Sequence, residues 1–385
     1  HILGQYREAE TMRRLELEGR EKMLGPDHPR TLASVNNLGA VLEEQGQYKQ
    51  AEKMHQRALK GREKTLGRDH PDTLTSISNL GIVLQKQGQY EKAEAMYRRA
   101  LEGREKVLGL DHPKPLASVN NLGNILEEQQ QYEKAEAMHR RALEGLENVL
   151  GPDDPSTLTS VNNLGSTLAS QGRFKMAEAM YRRALEGREK VLGCNHPDTF
   201  TSVNNMGSVL ESQGQYEMAE AMYRRALEGR EKVLGPDHPK TLSSIDNLGK
   251  VLERQGQYER AEIMYRQALE RRERVLGYEH PNTLTSASNL ANVLERRGQH
   301  EIAEAMYRRV LEGRERTLGP DHPQTLASID NLAVSLQNQG QYEKAEAMHR
   351  RALEGREKVL GRDHPDTLDS IDYLGTVLVR QGQYK

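Results

Sequence analysis

The chain repeats itself every 42 residues, and that repeat decides most of what it can fold into. Gln47-Tyr48, Gln89-Tyr90, Gln131-Tyr132, Arg173-Phe174, Gln215-Tyr216, Gln257-Tyr258, Gln299-His300 and Gln341-Tyr342 mark one register, with flanking copies at Gln5-Tyr6 and Gln383-Tyr384. A second marker keeps step: His28-Pro29, His70-Pro71, His112-Pro113, His196-Pro197, His238-Pro239, His280-Pro281, His322-Pro323 and His364-Pro365, with Asp154-Pro155 as its variant. Eight complete units run over residues 30–365; 1–29 is a partial unit with a second helix, 366–385 one with a first helix. The expectation is one solenoid over 1–385.

Each unit reads as two helices, A and B. In one copy Pro71 stands at a first helical position, where a missing N–H is harmless. Leu74, Ile77, Leu80, Gly81 and Leu84 follow at helical spacing, and Gly88 stops helix A. Helix B opens at Tyr90, carries Ala93, Met96, Tyr97, Ala100, Leu101 and Leu108, and closes on Gly109 as a C-cap glycine. Prolines fall in the inter-unit loop or the first turn after it, so none interrupts a helix. Small residues at the positions of Gly81 and Ala93 let paired helices approach closely. Gly103 sits inside helix B, where glycine costs about 1 kcal/mol relative to alanine, so a close contact must offset it. Arg98, Glu102 and Lys106, four apart, read as charge pairs of an exposed face.

Composition fits a thin structure. Hydrophobic residues make up 35 %, aromatics 4 % and charged residues 29 %, too little apolar interior for compact globules of this length. A net charge of −2 gives no electrostatic case for a nucleic-acid or anionic-membrane partner. One cysteine excludes an internal disulfide framework and suits a reducing, cytoplasmic setting. No run of about 18 apolar residues marks a membrane span.

The Leu80-Gly81, Leu84, Gly88, Tyr90, Ala93, Tyr97, Ala100 pattern resembles the tetratricopeptide repeat (TPR). It departs in period, 42 rather than about 34. It departs again in helix B, which runs on through Glu102–Gly109 where the usual repeat ends at proline. Both departures resemble the kinesin-light-chain type of TPR. Near-identical tandem copies of this kind also resemble the C-terminal sensor arrays of NLR/STAND proteins (NB-ARC or NACHT ATPases). The resemblance implies an all-α, right-handed superhelical solenoid of helix-turn-helix units. It also implies that the A helices line a concave surface at which the family binds peptides.

Variation between copies concentrates on helix A. The position of Ile82 reads Ala40, Ile82, Asn124, Ser166, Ser208, Lys250, Asn292 and Val334. That of Lys86 reads Glu44, Lys86, Glu128, Ser170, Ser212, Arg254, Arg296 and Asn338. That of Ser78 reads Asn36, Ser78, Asn120, Asn162, Asn204, Asp246, Ser288 and Asp330. With Thr75 and Gln85 these span roughly 100° of helix A, opposite Ile77, Leu80 and Leu84. Helix B's surface charges barely vary, so drift at exposed positions does not account for the pattern. The expectation is a binding stripe on the concave face, with Lys86, Lys250, Arg254 and Arg296 among its charged members.

One position on that face is constant. Asn37, Asn79, Asn121, Asn163, Asn205, Asn247, Asn289 and Asn331 form an asparagine ladder, ended by Tyr373. An amide offers donors and an acceptor, so the ladder can hold an extended peptide backbone, as the resemblance implies. Equally, each Asn can bond its neighbouring helix and fix repeat geometry. Both readings stand.

No catalytic constellation emerges, and the expectation is a non-enzyme without cofactor or metal. Each unit offers one loop histidine beside one acid, as in Asp69-His70, which suits helix capping. His55, His139 and His349 replace the tyrosine seen at Tyr97 and read as packing or surface substitutions; Cys194 reads as a loop residue. The expected function is a protein–protein interaction scaffold that binds a peptide or protein segment, inside an NLR/STAND-type receptor. A kinesin-light-chain-like cargo adaptor, a ligand-free spacer and a self-assembling solenoid are the alternatives. Residues 1–3 read as the tail of a helix A, and 385 as the point where a helix B would start. Neither end shows a polar capping helix, so weak end-to-end association through the two ends is expected.

Overall fold

The computed structural model describes residues 2–383, with side chains from 8 to 382. These residues form eighteen α-helices and no strand. Helix α1 spans Ile2–Leu24. The A helices are α2 (Pro29–Glu44), α4 (Pro71–Lys86), α6 (Pro113–Glu128), α8 (Pro155–Ser170), α10 (Pro197–Ser212), α12 (Pro239–Arg254), α14 (Pro281–Arg296), α16 (Pro323–Asn338) and α18 (Pro365–Gln383). The B helices are α3 (Tyr48–Leu66), α5 (Tyr90–Leu108), α7 (Tyr132–Leu150), α9 (Phe174–Leu192), α11 (Tyr216–Leu234), α13 (Tyr258–Leu276), α15 (His300–Thr317) and α17 (Tyr342–Leu360). They gather into two compact units, His1–Ser244 and Ile245–Lys385.

Inside each unit a helix packs on its sequence neighbours, which is how a solenoid is held. In the first unit α4 also touches α2, and α8 touches α6 and α10, so successive A helices lie side by side. One cluster shows the core pattern: Ile77, Leu80 and Leu84 of α4, Ala93, Tyr97 and Ala100 of α5, and Val119, Leu122 and Ile125 of α6, all buried.

Local chemistry sets the boundaries. The loop histidines are N-caps: His70 Nδ1 accepts from the Asp72 N–H at 3.1 Å, His196 Nδ1 from Asp198 at 3.2 Å, and Asp154 caps α8 through Ser156 at 2.7 Å. Gly88 (φ 72°) makes the A–B turn, and Gly109 (φ 85°) closes helix B as the sequence predicts. In the third complete unit Gln130 takes the turn glycine's place and adopts φ 58°.

The small residues work through rings and leucines. A Cβ on Gly81 would lie 2.9 Å from Tyr97 Cε1, and one on Gly123 2.5 Å from His139 Cε1, so the helix B ring lies directly on the helix A backbone. Gly187 likewise receives the Leu158 side chain. These contacts offset the helix cost of the internal glycines.

Two expectations need correction. Helix α1 is uninterrupted from Ile2, so Ile2 and Leu3 are not the tail of a separate helix A; Gly4 permits a turn but does not enforce one. His1, Tyr384 and Lys385 lie outside the described residues, as do the side chains of Gln5, Tyr6 and Gln383. Secondly, Arg98 pairs back to Glu94 (2.8 Å) and Lys106 reaches Asp69 across the loop, in place of pairs through Glu102.

Candidate functional site

The residues of the expected stripe divide into two layers. Lys86, Lys250, Arg254 and Arg296 are exposed, as are Glu44, Glu128, Ser170 and Asn338 at the Lys86 position. In the ladder, Asn37 is exposed, while Asn79, Asn121, Asn163, Asn205, Asn247, Asn289 and Asn331 are half-buried.

The residue before each ladder Asn points inward instead. Ser78, Asn120 and Asp330 are buried, and Asn162, Asn204 and Asp246 are half-buried. Ser78 Oγ donates to the Leu74 carbonyl at 3.2 Å. Asn120 Nδ2 donates to Ser160 Oγ on the next A helix at 2.6 Å. Asn162 Oδ1 accepts from Asn205 Nδ2 at 2.8 Å, and Asn36 Oδ1 from Asn79 Nδ2 at 3.2 Å. Asp246 pairs with Arg272 and accepts from Ser286 Oγ at 3.1 Å; burial raises its carboxyl pKa against the pull of Arg272. Asp330 pairs with Arg356 and with His349 at 2.8 Å. This position lies at the edge of the 100° arc, where one A helix meets the next, so packing claims it. At Asn79 and Asn205 the ladder's geometric role is visible, and it uses one of each amide's two N–H groups.

A second buried polar device escaped the sequence reading. Arg62, Arg188, Arg230 and Arg314, on the B helices α3, α9, α11 and α15, each donate through Nη1 to a serine of the next A helix: Ser76 (2.8 Å), Ser202 (2.8 Å), Ser244 (2.7 Å) and Ser328 (2.7 Å). Each also donates to a backbone carbonyl in the first turn of that helix. Burial lowers the Arg230 and Arg314 pKa to about 10. Leu146 replaces this arginine in α7, and there Asn120 supplies the donor to Ser160. The spacing of 14 residues between arginine and serine, constant in seven of the eight complete copies, is the signal that could have revealed it.

The helix B ring is the floor beneath the stripe. Tyr97 donates to Gln85 Oε1 at 3.1 Å, Tyr223 to Glu211 at 3.1 Å, Tyr265 to Glu253 at 3.4 Å and Tyr307 to Asn292 at 2.6 Å. His55, His139 and His349 fill the same slot fully buried, which makes them packing substitutions. Burial lowers the pKa of His55 and His139 to about 4, so both are neutral imidazoles.

Two pockets open on this face, each within one compact unit. The first, of about 510 Å³, is lined by Gln85, Asn124, Glu127, Glu128, Gln130, Tyr132, Ser166 and Ser170. Burial, then the Glu127 charge, raises the Glu128 carboxyl pKa, and Lys86 opposes both. The second, of about 420 Å³, is lined by Asp246, Asn247, Lys250, Glu253, Arg254, Tyr258, Tyr265, Asn289, Asn292 and Arg296. Burial raises the Glu253 carboxyl pKa although Arg296, Arg254 and Lys250 draw it down. The first lining is acidic; the second sets Lys250, Arg254 and Arg296 against Asp246 and Glu253.

Among the described residues no group of three or more His, Cys, Asp or Glu side chains could hold a metal ion. Nor is any described helix long and apolar enough to cross a membrane. Cys194 is exposed.

A tetratricopeptide repeat family model matches residues 1–64, 32–106, 115–190, 162–232, 198–274, 245–316, 282–358 and 325–385. No curated protein matches the chain. Two crystal structures of a candidate kinesin light chain from Podosopora anserina with nearly identical TPR-like repeats are similar at 22 and 23 % identity. They cover 54 and 53 % of this chain and 98 and 97 % of theirs, with TM-scores of 0.46 and 0.45. The crystal structure of BtubC (BKLC) from P. vanneervenii is 23 % identical, covering 62 % of this chain and 92 % of its own, with a TM-score of 0.48.

Proposed function

Because the chain belongs to the tetratricopeptide repeat family, we propose that it is a non-catalytic interaction scaffold whose A helices hold a peptide or protein segment. The observation that carries this reading is the contrast between faces. Exposed helix A positions change from copy to copy, as at Lys86, Glu128, Ser170 and Arg254. Exposed mid-helix positions of helix B such as Arg98, Arg140, Arg182 and Arg224 keep one residue in seven of the eight copies, and helix B varies mainly in its first turn, as at Lys92, Met176 and Ile302. Diversity concentrated at several positions of one helix face, over a scaffold otherwise nearly uniform, is what selection on a bound partner leaves. The proposed site is narrower than the stripe read from sequence: the ladder asparagines, with Lys86, Lys250, Arg254 and Arg296. Ser78, Asn120, Asn162, Asp246 and Asp330 act as support, since their side chains are engaged between helices or with their own backbone. The near-identity of the copies supports a place in an NLR/STAND-type cytoplasmic sensor.

The test is a peptide-library screen on this chain and on a variant with Asn163, Asn205, Asn247 and Asn289 changed to Ala, its helicity checked by circular dichroism. Selection of peptides by the parent and loss by the folded variant is the expected result. If neither selects a peptide, the groove reading fails.

A further inference from the structure

Three ring slots hold histidine where the other five hold tyrosine, and two of those three coincide with a doubled carboxylate. His55 shares its unit with Glu43-Glu44, and His139 with Glu127-Glu128. The tyrosine units carry Gln85-Lys86, Ala169-Ser170, Glu211-Ser212, Glu253-Arg254 and Glu295-Arg296 at the same two positions.

The two features meet in space. In tyrosine units the phenol hydroxyl ends on the helix A residues that border the groove, the counterparts of Asn124 and Glu127. An imidazole in the same slot stops short of that point. His139 Nδ1 lies 3.1 Å from Asn120 Oδ1, and His55 Nδ1 3.1 Å from Asn36 Oδ1. An amide oxygen accepts, so Nδ1 carries the proton and Nε2 is left as a lone pair. Both rings are fully buried, and in both Nε2 has no partner. Asn124 and Glu127 line the acidic pocket, and in tyrosine units their counterparts receive the hydroxyl of the ring that His139 replaces. Glu127 already accepts from Ser166 and Ser170 at 2.8 and 3.0 Å, and Glu128 is exposed at the rim. A buried acceptor beneath two carboxylates asks for a positively charged donor. His139, Glu127 and Glu128 do not converge as a metal cluster, so the donor is organic.

We infer that the groove positions over His55 and His139 each take the ammonium or guanidinium end of a lysine or arginine from the bound segment. The inference rests on the groove reading above. The cation donates to Nε2 in the place of the tyrosine hydroxyl and is neutralised by Glu43-Glu44 or Glu127-Glu128. Burial raises the carboxyl pKa of the half-buried Glu43, which a cation would relieve. The unit between them carries Tyr97 and Lys86, which fill the slot and repel a third cation. The ligand class is therefore a segment with two basic residues separated by a non-basic stretch.

The probes are fluorescein-labelled glycine-serine peptides with two arginines moved apart one residue at a time, and the same series with two glutamates, read by fluorescence anisotropy. The proteins are the parent, a His55→Tyr/His139→Tyr variant and a Glu44→Gln/Glu128→Gln variant. The tyrosine variant restores the ring that five other units carry, so its fold is secured by precedent. We expect one arginine spacing to bind at least about tenfold more tightly than its glutamate counterpart, about 1.4 kcal/mol, and both variants to lose that preference. Equal binding of both series, or a preference that survives both variants, overturns the inference and leaves the groove standing. Failure of every peptide to bind overturns both.

Discussion

Arg188 on α9 donates to Ser202 Oγ on α10 at 2.8 Å, and both side chains are buried. The same guanidinium reaches the Asp198 carbonyl and Thr159 Oγ1, both at 3.2 Å, so one side chain ties three helices. Arg188→Ala should destabilise the chain by about 2–3 kcal/mol, because it strands buried acceptors as well as removing bonds. Arg182→Ala, which breaks an exposed pair with Glu178, should stay within about 0.5 kcal/mol. Urea denaturation of the two variants checks the contrast; equal effects would reduce the buried arginine to a surface charge.

Acid should weaken the fold through His55 and His139. Each is neutral in the folded chain down to about pH 4, whereas the ordinary value is 6.5. Between those values the unfolded chain binds more protons, so stability falls as pH falls; above pH 6.5 the two states match and nothing is lost. At pH 5 the loss is roughly 2 kcal/mol for each histidine. Denaturation midpoints at pH 7 and pH 5 should separate for the parent and draw together in the His55→Tyr/His139→Tyr variant. A separation untouched by the double variant would assign the acid sensitivity elsewhere.

Gln130 is the other local irregularity. It holds φ 58° at a turn where Gly88, Gly172 and Gly214 hold 72°, 74° and 76°. A side chain in the left-handed region costs roughly 1–2 kcal/mol, and glycine gives part of that back through the entropy of the unfolded chain. Gln130→Gly should therefore raise stability by about 0.5–1 kcal/mol, read as a higher urea midpoint. An unchanged or lower midpoint would mean that Gln130 earns its strain through contacts at the pocket wall.

The sequence disclosed what depends on one residue and its neighbours: helix limits from proline and glycine, caps from His70 and Asp154, and the paired faces from Leu80, Gly81 and Tyr97. It was blind where two helices share one residue. Ser78 and Asp246 lie within the same 100° arc as Lys86, but side-by-side A helices take the arc's edge for their own contact, and a single-helix projection cannot show that. Arg62 carries no signal within its own helix because its partner, Ser76, lies in the next unit. Charge sign also misled: Asp246 and Asp330 looked like groove acids until Arg272 and Arg356 were seen to neutralise them.

The two ends differ in what they offer a second copy. On α18, Leu368, Ile371 and Leu378 are 53, 47 and 40 % exposed, whereas their counterparts Leu326, Ile329 and Leu336 are buried. Gly375 has open space where Gly81 meets a tyrosine ring. That face fits a B helix bearing a ring and, three residues on, an alanine. Helix α1 instead carries Arg13 and Glu16 at those positions, joined at 2.8 Å, where α5 has Tyr97 and Ala100. Docking α1 on the α18 of another copy would bury that ion pair, which opposes the contact. Arg13→Tyr/Glu16→Ala restores the ring and the small residue, and should strengthen self-association at least about tenfold by a heterologous contact that can propagate. Sedimentation velocity over a concentration series compares the two proteins. If the variant associates no more than the parent, the two faces are not complementary.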